Sequence, residues 1–268
     1  MAEPRASRTG DTDVTQPSES ASPEACSVVE LRQYTLKPGC RDELIALFEH
    51  HFIEGQEQYG IQVLGQFRRR TDPDQFVWLR GFADMEARRQ ALQGFYFGPI
   101  WQAHRSAANA TMIDSDNVVL LKPVHASAGV RYDPARRPAM DAHVTPGGIV
   151  TATVYSFAAP VDSPFVRFFE TQMTPAVCAA GATPLGYYVT EPAENTFPLL
   201  PVREGEHIFV WFASFADADA YTGYQTALTA SSAWIMSVAP ALKGWLSKAE
   251  EVLELIPTRR SLLRHNSI

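Results

Sequence analysis

Phe76-Val77-Trp78 and the Phe82-Ala83-Asp84 that follows it occur twice: Phe209-Val210-Trp211 and Phe215-Ala216-Asp217 stand 133 positions downstream. Trp101 maps onto Trp234 at the same offset. Nearer the start of each copy the offset is 121, so that Val29, Tyr34, Phe48, Glu49, Gly60, Leu64 and Gly65 land on Val150, Tyr155, Phe169, Glu170, Gly181, Leu185 and Gly186. The 12 residues by which the offsets differ fall within 191–206, a Pro-containing stretch between two predicted strands. Two ungapped registers separated by one insertion in a turn mark a duplication, because surface loops tolerate added length. The chain is two copies of one small domain.

Each copy reads as strand, helix, hairpin, helix, short helix and strand. In the first, residues 28–36 alternate as a strand, with Val29, Leu31, Gln33 and Thr35 on one side and Glu30, Arg32, Tyr34 and Leu36 on the other. A helix is predicted over 42–59, its buried stripe running through Leu44, Leu47, Phe48, His51, Phe52 and Gly55, with Gly60 as its stop. Strands over 63–69 and 75–82 flank an Asp72-Pro73-Asp74 turn. Asp84 is a natural N-cap for a helix over 85–92, followed by a short helix through Trp101 to about 109 and a strand over 118–121. Residues 1–27, rich in Ser, Thr, Pro, Ala and acids, read as a disordered tail, and 125–147 as a linker. The copies then span 28–124 and 148–264. Helices on one face of an antiparallel sheet give an α+β, ferredoxin-like unit. Its bare face needs a cover. Sheet-on-sheet packing of the two units through Tyr34, Trp78, Tyr155 and Trp211 predicts an intrachain pseudo-dimeric α/β barrel.

Composition narrows the function classes. The 268 residues carry a formal net charge of −7, which argues against a nucleic-acid partner. Three cysteines without a CxxC argue against a disulfide framework and a cysteine zinc site and fit a reducing, cytoplasmic setting. No apolar run is long enough to span a membrane and no secretory leader is visible. His50-His51, the closest histidine pair, cannot easily chelate one ion, because adjacent helical residues point about 100° apart. With no nucleotide-binding, metal-protease or nucleophile-elbow motif either, neither cofactor nor metal is expected.

The first copy resembles the NIPSNAP family. The resemblance rests on Glu30-Leu31-Arg32-Gln33-Tyr34-Thr35-Leu36-Lys37-Pro38-Gly39, on Leu47-Phe48-Glu49 through His51, on Gln75-Phe76-Val77-Trp78-Leu79, and on Ala87-Arg88, Phe95-Tyr96, Trp101-Gln102-Ala103 and Leu121-Lys122-Pro123. It covers roughly 28–124. The second copy departs from it, with Ser156-Phe157-Ala158-Ala159 after Tyr155 in place of the Lys-Pro-Gly turn. The resemblance implies the dimeric α/β-barrel superfamily, which includes cofactor-free monooxygenases, haem enzymes and stress-related dimers. It implies no particular activity.

Candidate chemistry lies where the copies disagree. Gln33, His51 and His104 of the first copy correspond to Val154, Gln172 and Ser237, and Glu30, Arg32, Arg68 and Arg80 to Thr151, Thr153, Val189 and Ala213. With Gln33 placed on the helix-facing row and both histidines on buried helix faces, these three are expected to converge and act as catalytic residues. An imidazole beside an amide in an apolar pocket abstracts a proton and holds an enolate or phenolate. Tyr34, Trp78, Arg80, Tyr96 and Trp101 are the expected substrate contacts. Glu30, Arg32, Arg68 and Arg80 are expected on the barrel side, as a salt-bridged seam or an anion site. Two functions fit. One is a barrel that binds a small organic ligand or a partner without turnover, self-association included. The other is a cofactor-free monooxygenase, cyclase or isomerase acting on an aromatic or polyketide-like substrate.

Overall fold

The structure is a computed structural model and describes residues 26–142 and 147–265; the predicted tail, apart from Cys26 and Ser27, and positions 143–146 of the linker lie outside the described residues. The first copy contains β1 (Val28–Leu36), α1 (Arg41–Leu47), a π-helical turn (Phe48–Phe52), α2 (Ile53–Glu57), β2 (Gln62–Arg69), β3 (Gln75–Phe82), α3 (Met85–Phe97), α4 (Pro99–Thr111) and β4 (Met112–Pro123). The second repeats the order with β5 (Ile149–Phe157), α5 (Ser163–Phe168), a π turn (Phe169–Met173), α6 (Thr174–Ala179), β6 (Thr183–Thr190), β7 (His207–Phe215), α7 (Ala218–Ala230), a π turn (Trp234–Val238), α8 (Ala239–Trp245) and β8 (Glu251–Pro257). Asp84 caps α3 by accepting from the Ala87 backbone N–H, and Asp217 caps α7 by accepting from Ala220.

The eight strands close in the order β1-β3-β2-β8-β5-β7-β6-β4. Every neighbouring pair is antiparallel, and each copy contributes a four-stranded ferredoxin-like sheet. The seams are equivalent: the last strand of each copy pairs with the second strand of the other, through Phe67↔Pro257 and Pro123↔Tyr188 among others. Closure satisfies backbone groups that an open sheet would leave at its edges.

The alternation along the strands is as the sequence indicates, but the two sides are exchanged. Val29, Leu31, Val77 and Leu79 fill the barrel interior with Val150, Ala152, Val210 and Phe212 of the other copy. Tyr34 and Trp78 lie instead beneath the first copy's helices with Phe48, Phe52 and Phe95, and Tyr155 and Trp211 lie beneath the second's. Both faces of β1 are buried, so a period of two fixes which residues share a side without saying which side meets the helices. Aliphatic residues suit the narrow lumen of an eight-stranded barrel, and the wider sheet–helix layer takes the aromatics.

The segments after β4 and β8 pack equivalently. Residues 128–132 bring Val130 and Tyr132 into the barrel core, and 262–263 bring Leu262 and Leu263. Tyr187 donates its backbone N–H to Ala128 O, and Leu263 donates to Leu64 O, each at 2.9 Å. Glycine makes these approaches feasible at a register shift in each strand: a Cβ at Gly186 would lie 2.7 Å from Val130 N, and one at Gly65 would lie 3.2 Å from Leu263 Cβ. The predicted linker is in part a barrel plug.

Candidate functional site

The exchange of sides carries a charged cluster into the first copy's sheet–helix layer. Glu30 and Arg80 are cross-strand partners on β1 and β3, as are Arg32 and Trp78. Arg88 comes down on them from α3. All four charged side chains are 1% exposed or less. Glu30 accepts from Arg32 Nη1 at 2.7 Å, from Arg80 Nε at 2.7 Å and from Arg88 Nε at 2.6 Å. Burial alone raises its carboxyl pKa, but Arg80, Arg32 and Arg88 outweigh that and hold it far below the usual carboxylate range. Three guanidiniums on one carboxylate leave positive charge in excess.

The rest of the cluster is only partly satisfied. Arg32 Nε donates to Tyr34 Oη at 3.0 Å, and Arg80 Nη1 donates to Gln56 Oε1 at 3.1 Å and to Tyr96 Oη at 3.4 Å. Arg80 Nη2, Arg88 Nη2 and Trp78 Nε1 are buried and have no hydrogen-bond partner among the described residues. The Arg80 guanidinium lies 5.1 Å from the Trp78 ring centroid and 5.8 Å from that of Tyr96, and Arg32 lies 5.5 Å from Trp78. The ring faces attract these cations, yet buried N–H groups without acceptors still carry a desolvation cost. Tyr34, Trp78, Gln56, Tyr96 and Trp101 line a small cavity here, with about 20 Å³ in which a water-sized sphere can be centred. That is about the space of one water.

The second copy has the same layer without the arginine–glutamate cluster; the carboxyl there is Glu250, which meets the Tyr155 hydroxyl and is pushed up in pKa by burial. Thr151, Thr153 and Ala213 replace Glu30, Arg32 and Arg80, Tyr221 replaces Arg88, and Val177 replaces Gln56. Trp211 Nε1 donates to Tyr155 Oη at 3.3 Å, whereas the equivalent Trp78 Nε1 has no hydrogen-bond partner among the described residues.

The expected substrate contacts Tyr34, Trp78, Arg80, Tyr96 and Trp101 are brought together here. The expected catalytic residues are not. Gln33 faces the barrel, opposite Val77 and Asn117 in the strand pairings. His51 is exposed and His104 half-buried; they stack at 3.8 Å on the outer face of the helices. The π turn is the cause. An i→i+5 turn advances the helix phase, so Glu49 turns inward and His51 outward. The same turn recurs 121 positions later at Phe169–Met173. Partial desolvation, and then His104 and His50, hold the His51 imidazole below its usual pKa. Arg68 also leaves the set, pairing with Asp42 at 2.7 Å at the helix edge. Arg88 and Gln56 were not anticipated, although comparing copies marks both. Among the described residues no three of His, Cys, Asp and Glu are placed to hold a metal ion, and no helix is long and apolar enough to cross a membrane.

Residues 29–128 match the NIPSNAP family model. The NIPSNAP segment thus holds all four members of the charged cluster. It is a domain of unknown activity. No curated protein matches the chain. Among solved structures, a candidate monooxygenase from Lactobacillus acidophilus NCFM is similar over 89% of this chain and 97% of its own, with 12% identity and a TM-score of 0.51. An anthrone oxidase-like protein is similar over 91% and 98%, with 11% identity and a TM-score of 0.50. An uncharacterized NIPSNAP-like domain protein from Burkholderia xenovorans is 27% identical over 37% of this chain and 86% of its own, with a TM-score of 0.34. The two long matches establish the dimeric α/β-barrel fold beyond the NIPSNAP segment; at their level of identity they establish the fold alone.

Proposed function

We propose that the NIPSNAP copy binds a small organic anion with an aromatic or conjugated body between its sheet and its helices. The observation that carries this is the charge excess of Arg32, Arg80 and Arg88 over Glu30, beside a cavity walled by Trp78, Tyr96 and Trp101. The excess is not needed to close the barrel, since the second copy does so with neutral residues at every equivalent position. A carboxylate, phenolate or enolate oxygen would be an acceptor for the free N–H groups of Arg80 and Arg88. Ring walls suit a planar body.

Turnover would require a base within reach of the cavity. His51 and His104 stack outside it, and Glu30 is occupied by three donors. The names of the two long structural neighbours point toward oxygenation, and this cluster would stabilise an enolate or phenolate formed elsewhere on that route. Binding is the reading the residues support. The test is isothermal titration with a panel of aromatic carboxylates and phenolates. At least one should bind, and Arg80→Gln should weaken it by about 10- to 100-fold, the cost of one desolvated charge-assisted hydrogen bond. Neutral analogues that bind equally well, with no sensitivity to Arg80→Gln, would refute the proposal.

A further inference from the structure

The inserted stretch 191–206 belongs by sequence to the second copy's hairpin but lies over the first copy's cluster. Asn195 Oδ1 accepts from Arg88 Nη1 at 3.0 Å, and Thr196 Oγ1 lies 3.4 Å from the same nitrogen. The Thr196 hydroxyl donates to Met85 O at the start of α3 at 3.1 Å. Phe197 enters the first copy's aromatic core and stacks on Tyr96 with ring centroids 6.0 Å apart. Tyr96 also touches Arg80 and lines the cavity. Arg203 ties the return limb to β4, donating its backbone N–H to Val118 O at 2.7 Å and its side chain to Asn117 Oδ1 at 3.1 Å.

Glu191 also donates its backbone N–H to Leu120 O at 2.9 Å, and the half-buried Leu200 packs against the same aromatic core. Phe197 is its one buried side chain. Both limbs, 191–194 and 202–206, border a cavity of about 450 Å³, which leaves space for them to shift. A loop fixed by one buried aromatic, one half-buried leucine and a few polar contacts opens at lower cost than the barrel beneath it. The cavity beside Arg80 has space for about one water, so an organic anion has to push its walls apart; Phe197 does not line it but backs Tyr96, which does, and so holds that wall in place.

We infer that residues 191–206 are the gate of the first copy's pocket, with Phe197 as the group a ligand displaces and Asn195 as a selector that meets the ligand's anionic end beside Arg88. The inference rests on the proposed ligand pocket. It assigns the second copy, which lacks the charged cluster, a function: to supply the cover. Asn195 accepts from Arg88 as the ligand would, so the loop competes with the ligand for that guanidinium. Asp at 195 would compete more strongly and close the pocket to anions.

The test is stopped-flow binding of 8-anilinonaphthalene-1-sulfonate, an aromatic anion that fluoresces on leaving water, to the full chain. Phe197→Ala, and a variant in which the hairpin is shortened by 12 residues to the first copy's length, should each raise the association rate by about ten-fold or more. Asn195→Asp should weaken binding by about ten-fold, and Asn195→Ala should not. Thermal melts establish that each variant folds. Adding Arg80→Gln or Arg88→Gln to Phe197→Ala should remove the rapid signal. If binding depends on these arginines but keeps one association rate with and without Phe197, the gate is overturned and the pocket stands. If binding ignores both arginines in every background, or is absent from all, the pocket reading fails and the gate with it.

Discussion

Replacing Glu30 by Gln leaves three buried guanidiniums without their shared counter-charge. Each bridging N···O distance is 2.6 or 2.7 Å. With charge centres about 4 Å apart and an effective dielectric near 20, each pair is worth about 4 kcal/mol before desolvation. The three do not add, because Gln still accepts a hydrogen bond and water can follow the released arginines. Removing one partner of a buried ion pair costs about 3–5 kcal/mol, and a carboxylate with three partners belongs at or above the upper end. For a chain of this size that lowers the melting temperature by about 10–20 °C. Calorimetry and urea unfolding at pH 7 measure it. The pH dependence fixes the cause. Glu30 has its folded pKa held below the ordinary 4.5, so its stabilisation is complete above about pH 4.5 and is lost as the pH falls toward the folded value. The gap between wild type and Glu30→Gln should be constant from pH 7 to about pH 5 and narrow on further acidification. Glu30→Gln within about 1 kcal/mol of wild type at pH 7 would mean that the guanidiniums are solvated, and the argument for anion recognition would fall with it.

Two further outcomes follow from positions the sequence singles out. The double variant His51→Ala/His104→Ala should change stability by no more than about 0.5 kcal/mol, as for surface positions, and leave aromatic-anion affinity within two-fold; loss of binding in calorimetry would return the imidazoles to the site. Gly186→Ala puts a Cβ 2.7 Å from Val130 N and 2.9 Å from Ala128 O. It should cost about 1–3 kcal/mol as overpacking against backbone, and hydrogen exchange at the Tyr187 amide should speed up as its bond to Ala128 O is strained; unchanged exchange would show that the 128–132 plug is not pinned there.

The sequence made the architecture legible because the duplication supplied an internal check. A strand, cap or turn read in one copy could be sought at a fixed offset in the other, and Asp84 and Asp217 answer each other in this way. The layer each strand face meets was not legible, because β1 is buried on both faces and the apolar pattern carries no sign. The barrel-side assignment of Arg80 failed for that reason, and its side chain lies against Trp78 and Tyr96 in the sheet–helix layer instead. His51 failed for a different one: a straight 3.6-residue period carried through 48–52 turns it inward, and the π turn there turns it out. Arg88 is legible as a difference between the copies, since its counterpart is Tyr221, but its direction from α3 onto Glu30 is set by the packing of that helix. The gate was not readable at all, because an insertion's length says nothing about which copy it will cover.

The asymmetry between the copies is itself a physical argument. A symmetric dimer would carry its hairpin insertion twice and its charged cluster twice. One chain can place the cluster on one side and the cover on the other. The second copy indicates what the layer looks like when it serves stability alone: Trp211 donates to Tyr155, whose hydroxyl also meets Glu250, and threonine, alanine and tyrosine stand where the first copy has its charged cluster. The first copy instead keeps Trp78 Nε1 and two guanidinium nitrogens buried without hydrogen-bond partners among the described residues, a cost that the arginine-free version on the same scaffold avoids. Unrelieved desolvation of this kind is hard to explain as packing when the packed alternative stands in the same molecule. It is accounted for if the missing acceptors arrive with a ligand, and the loop that reaches across from the second copy to share Arg88 lies where such a ligand would have to pass.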